Sequence, residues 1–239
     1  MPRVAAPDPS AFRAALEDDS CPVAVDQVDA AGGAPVLVCF GGIAGGLLGP
    51  PFEFLRHTDG LTAHRVFLRD LDQCWYQMGL QSLGSDVPSS AVALSAVLDD
   101  LAPSRRVFLG TSSGALASVL FGVLTGADKI ISLSPQTSLR MATRIRYQDR
   151  RWGPQIRKAR AHSVDPLHLD LLALLRAYPD HGPVDIHFGR DDRLDTRHAL
   201  RLDGERGVTL ASHPGGHTFV RQLRDNGELR PILEDALAG

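Results

Sequence analysis

The residues of this chain best suited to covalent chemistry are met in the order serine, aspartate, histidine. Ser112 stands in Gly110-Thr111-Ser112-Ser113-Gly114, after the apolar run Val107-Phe108-Leu109 and before small apolar residues that continue to Leu124. That pattern predicts a buried strand, a very tight turn and a buried helix, with Ser112 at the tip of the turn. Glycines two positions either side of the serine let the chain reverse where larger side chains would collide. The helix beyond directs its free N–H groups and positive dipole end at the same spot. A serine so placed can attack an acyl carbon once a base accepts its proton and a carboxylate orients the base.

Those partners are expected on loops after later strands. Val184–Gly189 alternates as a strand should, and Arg190-Asp191-Asp192-Arg193 follows it. The strand ending near Ala211 is followed by Ser212-His213-Pro214-Gly215-Gly216-His217. Open α/β sheets place their sites just past the carboxyl ends of strands, where both segments fall. Asp191 and Asp192 both fall where the acid belongs; with Asp191 in that role, Asp192 caps the helix region at Thr196 or pairs with Arg193, while Asp195 reads as the N-cap of a helix expected over Thr196–Leu202. His217 is preferred as the base over His213, which precedes a proline and lies close to the strand. His187 and His198 read as packed or surface histidines. The nine histidines never take metal-ligand spacing beside a suitable carboxylate, so neither a metal nor a cofactor is expected.

With these residues in view, the chain resembles the α/β-hydrolase superfamily, from the glycine loop after Phe40 to the Gly216-His217 pair. The superfamily commonly sets its acid three residues after a strand-ending glycine, which falls here on Asp192 after Gly189, and its histidine after a glycine, which falls on His217. Ser134-Pro135-Gln136, Trp75-Tyr76 and the tail Val220–Arg224 also resemble a small serine hydrolase-like subgroup that carries no settled activity. No internal repeat, low-complexity tract or dividing linker is legible, so a single domain over 1–239 is expected; the resemblance implies an α/β-hydrolase fold with a mostly parallel twisted sheet covered by helices on both faces, and a short basic lid inserted at about 136–178. An oxyanion hole needs two N–H donors aimed at the developing charge. Ser113, the residue after the nucleophile, is expected to give one and Gly42 the other, with Ile43 as the alternative. The sequence has Phe40-Gly41-Gly42 where the superfamily often has His-Gly. The glycine loop after Phe40 is not G-x-G-x-x-G, lacks a P-loop lysine and is interrupted by Pro50-Pro51, which argues against nucleotide phosphate.

The elements needed to hold these residues are legible as strands alternating with helical stretches, the pattern of a parallel sheet. Strands are expected at 23–28, 36–40, 63–68, 107–111, 129–133, 184–189 and 207–211, with helices at 11–17, 88–101, 113–124, 167–178, 196–202 and 227–237. Leu71–Asp86 has no clear period and reads as a packed loop. Between Leu139 and Arg160 stand eight cations against Asp149 alone, in a chain whose net charge is −3. Arg144 and Arg146, with Ile43, are the expected contacts to an anionic small-molecule or carrier-bound acyl substrate. The net acidic balance and the lack of interleaved aromatics argue against nucleic acid.

Ser112, Asp192 and His217 together imply an ester or thioester hydrolase working through an acyl-enzyme. The alternatives are an acyltransferase using the same triad and a non-catalytic binding module of the same fold. The N-terminal residues carry no apolar core of a signal peptide, and no apolar stretch approaches membrane-spanning length. Three cysteines in no metal or CxxC spacing fit a reducing compartment, so the expected location is cytoplasmic and no membrane partner is expected.

Overall fold

The computed structural model describes residues 8–29, 33–43 and 52–239. In chain order, helix α1 (Pro9–Glu17) precedes β1 (Val23–Asp26), β2 (Val36–Phe40) and β3 (His64–Leu68). Helix α2 (Val87–Leu101), β4 (Arg106–Thr111), α3 (Ser113–Thr125) and β5 (Lys129–Leu133) form the centre. Between β5 and β6 (Val184–Gly189) come α4 (Met141–Tyr147), α5 (Gly153–His162) and α6 (Leu171–Ala177). The chain ends with α7 (Arg193–Leu200), β7 (Val208–His213), α8 (Phe219–Asp225) and α9 (Leu229–Ala238).

The seven strands form one sheet in the order β1-β3-β2-β4-β5-β6-β7. Only β1 runs antiparallel, pairing with β3 at the edge, and every other neighbour pair is parallel. Parallel strands are covered on both faces, which is why β2 is apolar and buried at all five positions. Its side chains divide with period two. Val36, Val38 and Phe40 enter the core under α2, α3 and α6, while Leu37 and Cys39 face the core under α8 and α9. Helix α3 is buried almost all round, as its lack of a polar face requires.

The sheet's winding reverses between β2 and β4: β3 lies beyond β2 on one side, and β5 to β7 follow β4 on the other. A crevice opens outside the carboxyl ends of strands at such a switch point. Here it brings the loop after Phe40 against the turn after Thr111.

Two sequence expectations change in detail. The arginine-rich stretch folds as the paired helices α4 and α5, and the helix expected to begin at Thr196 begins at Arg193. Leu71–Asp86 is a packed loop pinned by one carboxylate. Asp70 Oδ2 accepts the N–H groups of Cys74 at 2.6 Å and Tyr76 at 2.9 Å. Burial pushes the Asp70 carboxyl up to about 6 against those two stabilising hydrogen bonds. The loop buries Trp75 and Tyr76 completely, and the Tyr76 hydroxyl donates to the Gly41 carbonyl at 2.9 Å. That contact ties the loop to the residue before Gly42.

Candidate active site

The turn at Ser112 is strained, as its glycine-flanked pattern predicts. Ser112 has φ 54° and ψ −114°, outside both helix and strand, a conformation that an L-residue holds only when its surroundings enforce it. The flanking glycines are sterically required. A methyl on Gly110 would stand 2.0 Å from the Gly114 carbonyl oxygen, and one on Gly114 would stand 2.3 Å from that of Phe40. Ser113 opens α3, and no side chain caps the helix, so its first N–H groups face the serine. The Ser113 hydroxyl itself is buried without a partner.

His217 Nε2 lies 3.1 Å from Ser112 Oγ. On the other side of the ring, Nδ1 lies 2.7 Å from a carboxylate oxygen of Asp195. The acid expected there was Asp192, and the structure puts it elsewhere. Asp192 is the N-cap of α7, its Oδ1 accepting the N–H groups of Leu194 at 2.8 Å and Asp195 at 2.9 Å. Because the helix starts directly after Asp192, Asp195 falls in its first turn with its carboxylate turned inward and 1% exposed. The two aspartates have exchanged their expected places. The missed signal lies in Asp192-Arg193-Leu194-Asp195: an aspartate three residues before a second acid is a helix-start pattern, and it assigns the cap to the first.

The remaining candidates have identifiable work of their own. Asp191 Oδ2 accepts the Gly215 N–H at 2.8 Å, and the Asp191 N–H donates to the Gly215 carbonyl at 3.1 Å, tying the aspartate loop to the histidine loop. His213 is turned away from the serine, with its Nε2 2.9 Å from His187 Nδ1 and its ring stacked on Phe219. Ser134 Oγ donates to the His217 carbonyl at 3.3 Å.

Asp195 has a second partner that sequence spacing did not suggest. Arg151, from the corner between α4 and α5, donates through Nη1 to Asp195 Oδ1 at 2.9 Å. Its Nε and Nη2 grip Asp149, at 3.1 Å and 3.0 Å. The wholly buried Asp149 carboxylate also accepts from Gln136 Nε2 at 3.0 Å and lies 3.3 Å from His198 Nε2. The Thr137 N–H donates to His198 Nδ1, so the neutral ring carries its proton on Nε2 and donates it to Asp149. Burial pushes the Asp195 carboxyl up, but hydrogen bonds and charge from His217 and Arg151 outweigh it and hold the group below the usual carboxylate value. Asp195 is therefore ionised and fixed in direction before any substrate arrives.

Gly42, the expected second oxyanion donor, lies beside Ser112: a methyl on Gly42 would stand 3.4 Å from Ser112 Cβ. Its N–H, however, donates to Glu53 Oε2 at 3.0 Å. A carboxylate of the protein thus lies on the donor expected for a substrate oxygen. Arg224 Nη2 is 3.8 Å from the other Glu53 oxygen. Ile43 is half-buried against the core beside Gly42, and Ala44 to Pro51 lie outside the described residues. Arg144 and Arg146 are not brought to the serine. They stand on different sides of α4 and line separate hollows, neither of which includes Ser112, Asp195 or His217. Among the described residues no cluster of His, Cys, Asp and Glu is placed to hold a metal ion.

No family model matches the sequence, and no curated protein does. The fold does have solved counterparts. The capsule O-acetyltransferase of Neisseria meningitidis serogroup A superposes with a TM-score of 0.63 at 14% identity, over 87% of this chain and 89% of that one. Fluorophosphonate-binding serine hydrolase F of Staphylococcus aureus superposes with a TM-score of 0.60 at 14% identity, over 87% and 91%. An esterase of Pyrobaculum calidifontis does so with a TM-score of 0.58 at 14% identity, over 90% and 80%. These similarities show an α/β-hydrolase-type fold, one used by hydrolases and by an acyltransferase.

Proposed function

We propose that the chain is a serine hydrolase acting on an ester or thioester, with Ser112 as nucleophile, His217 as general base and Asp195 orienting the histidine. The observation that carries this is the continuous contact from Ser112 Oγ to His217 Nε2 at 3.1 Å and from His217 Nδ1 to Asp195 at 2.7 Å, at a strained elbow. His217 takes the hydroxyl proton as Ser112 attacks the acyl carbon, and Asp195 stabilises the resulting imidazolium. The Ser113 N–H, at the start of α3, receives the developing oxyanion, joined by Gly42 once Glu53 is displaced. The protonated histidine then hands its proton to the leaving alcohol or thiol. Water, deprotonated by the same histidine, releases the acyl group.

Transfer of the acyl group to an alcohol, in place of water, is the second possibility. The likeness to the meningococcal capsule O-acetyltransferase supports it, and a histidine-to-alanine mutant of that protein has been solved in complex with CoA. The proposed substrate is a small or carrier-bound acyl compound. A cytoplasmic setting is part of the proposal, supported by three cysteines that all carry free thiols. No helix among the described residues is long and apolar enough to cross a membrane.

Fluorophosphonate labelling of the purified protein, with Ser112→Ala as control, tests the assignment. Labelling lost in Ser112→Ala is the expected result. An unlabelled wild type that also turns over no aryl ester or acyl thioester would rule out the enzyme and leave a binding module of this fold.

A further inference from the structure

Three of the eight cations of the basic segment have acidic partners. Arg151 lies between Asp149 and Asp195, Lys158 Nζ is 2.9 Å from Asp72, and Arg140 Nε is 3.6 Å from Asp170. Arg150, Arg157 and Arg160 have no ion-pair partner among the described residues. Together with Arg144 they line one hollow between α4 and α5, of about 710 Å³. The only carboxylate in its wall is Asp149, whose charge faces inward and is held by Arg151, Gln136 and His198. Burial pushes the Arg144 guanidinium down, and the neighbouring charges of Arg151 and Arg160 push the same way against Asp149. Four guanidinium groups thus share a concavity whose counter-charge the protein does not supply.

The corner that presents them is fixed. Gln148 and Trp152 both hold left-handed backbone conformations, with φ of 56° and 52°, and Asp149 Oδ1 accepts the Arg151 N–H at 2.9 Å between them. A site whose frame is set in advance loses less entropy on binding. Its floor is apolar at Ile156, and Met141 and Ile145 on α4 stand exposed at its edge.

We propose that this hollow binds the phosphate end of an organic phosphate, with Met141 and Ile145 against the adjoining carbon chain. Guanidinium groups match phosphate oxygens in paired hydrogen bonds, and a group with several oxygens and more than one negative charge engages several arginines where one carboxylate cannot. The hollow is lined by neither Ser112 nor His217, so its ligand chemistry does not depend on Ser112 being a nucleophile.

Trp152 reports on the corner directly: it is 37% exposed there, whereas the chain's other tryptophan, Trp75, is wholly buried. The experiment titrates the intact protein with inorganic phosphate and with octyl phosphate, following Trp152 fluorescence and heat of binding. The expected result is saturable binding that weakens with added salt, tighter for octyl phosphate than for inorganic phosphate, and reduced by roughly tenfold or more in Arg157→Ala/Arg160→Ala. Arg150→Glu gives the same loss through a single exposed position. Arg176→Ala, whose partner Glu205 lies elsewhere, binds as wild type. Absence of saturation, binding unchanged in both hollow variants, or equal weakening by Arg176→Ala would overturn the proposal. Equal affinity for octyl and inorganic phosphate would overturn the part given to Met141 and Ile145.

Discussion

Asp195 meets His217 at 2.7 Å while Asp192, one helical turn earlier, closes the end of the same helix. The cap and the carboxylate that meets His217 are therefore mechanically linked. By fixing where α7 begins, Asp192 sets which way Asp195 points, and Arg151 on its far side prevents the carboxylate from rotating away. Orientation of the His217 ring is built from a cap, an ion pair and a loop tie at Asp191.

Asn substitutions separate the two aspartates. Asp195→Asn removes the charge that stabilises protonated His217 and favours the wrong ring tautomer, so fluorophosphonate labelling of Ser112 is expected to slow by about 10³- to 10⁴-fold. Asp192→Asn preserves an N-cap acceptor and should label within a few-fold of wild type. Asp192→Ala should lower stability by about 1 kcal/mol in denaturant titration. Equal slowing in Asp192→Asn and Asp195→Asn would contradict the division.

Arg151 is expected to act on the rate through Asp195. Without the guanidinium, the Asp195 carboxyl loses one of the groups that hold it below the usual carboxylate value and keeps its proton to higher pH. In Arg151→Met the acid limb of the labelling-rate profile should therefore move to higher pH, in addition to the stability lost by leaving Asp149 and Asp195 buried without their shared cation. Arg151→Lys restores the charge but not the two-sided grip, and should bring back the position of the limb before it brings back stability. A profile that falls in amplitude without moving would reduce Arg151 to a structural support.

Local steric chemistry was the legible part of this site. The elbow could be read because Gly110, Ser112 and Gly114 answer to contacts within five residues and with the neighbouring strand. His217 could be read because the order of strands fixes which loops meet. Asp195 could not, because the three residues by which α7 begins earlier, at Arg193 and not at Thr196, decide which carboxylate faces the core. The role of Arg151 joins positions 44 residues apart across helices whose packing no local pattern encodes. Glu53 reaches Gly42 from a loop with no period of its own.

The Glu53 contact predicts a gain of rate on removal. Its Oε2 takes the Gly42 N–H, and an anion there opposes the negative charge that develops on the substrate oxygen. Glu53→Ala frees the donor, so kcat/KM for a small uncharged ester should rise by roughly tenfold, within what one oxyanion donor is worth. Glu53→Gln, which removes the charge but keeps an acceptor, should fall between. Slower turnover in Glu53→Ala would mean that the carboxylate assists the reaction.

The His187–His213 pair sets a limit on stability in acid. Burial, and then the proximity of His213, push His187 down to about 4, with Asp185 opposing and Lys129 reinforcing the shift. Burial also lowers His213, against the pull of Glu228 and with the push of Arg190. Both rings are therefore neutral in the fold at a pH where the unfolded chain protonates them. Their contribution is fully present above about pH 6.5 and is lost as the pH falls through about 4, a change on the order of 3 kcal/mol for His187. Asp70, raised to about 6, works in the opposite direction, since the fold holds its proton more tightly than the unfolded chain does. Urea midpoints should consequently depend on which group is removed. His187→Asn should flatten the loss of stability between about pH 7 and about pH 5, and Asp70→Asn should steepen it by removing the compensating term. Because His213 stacks on Phe219, the first residue of the helix that follows His217, labelling of Ser112 at mildly acid pH should persist further in His187→Asn than in wild type. Identical acid profiles for wild type and His187→Asn would show that the pair does not set this limit.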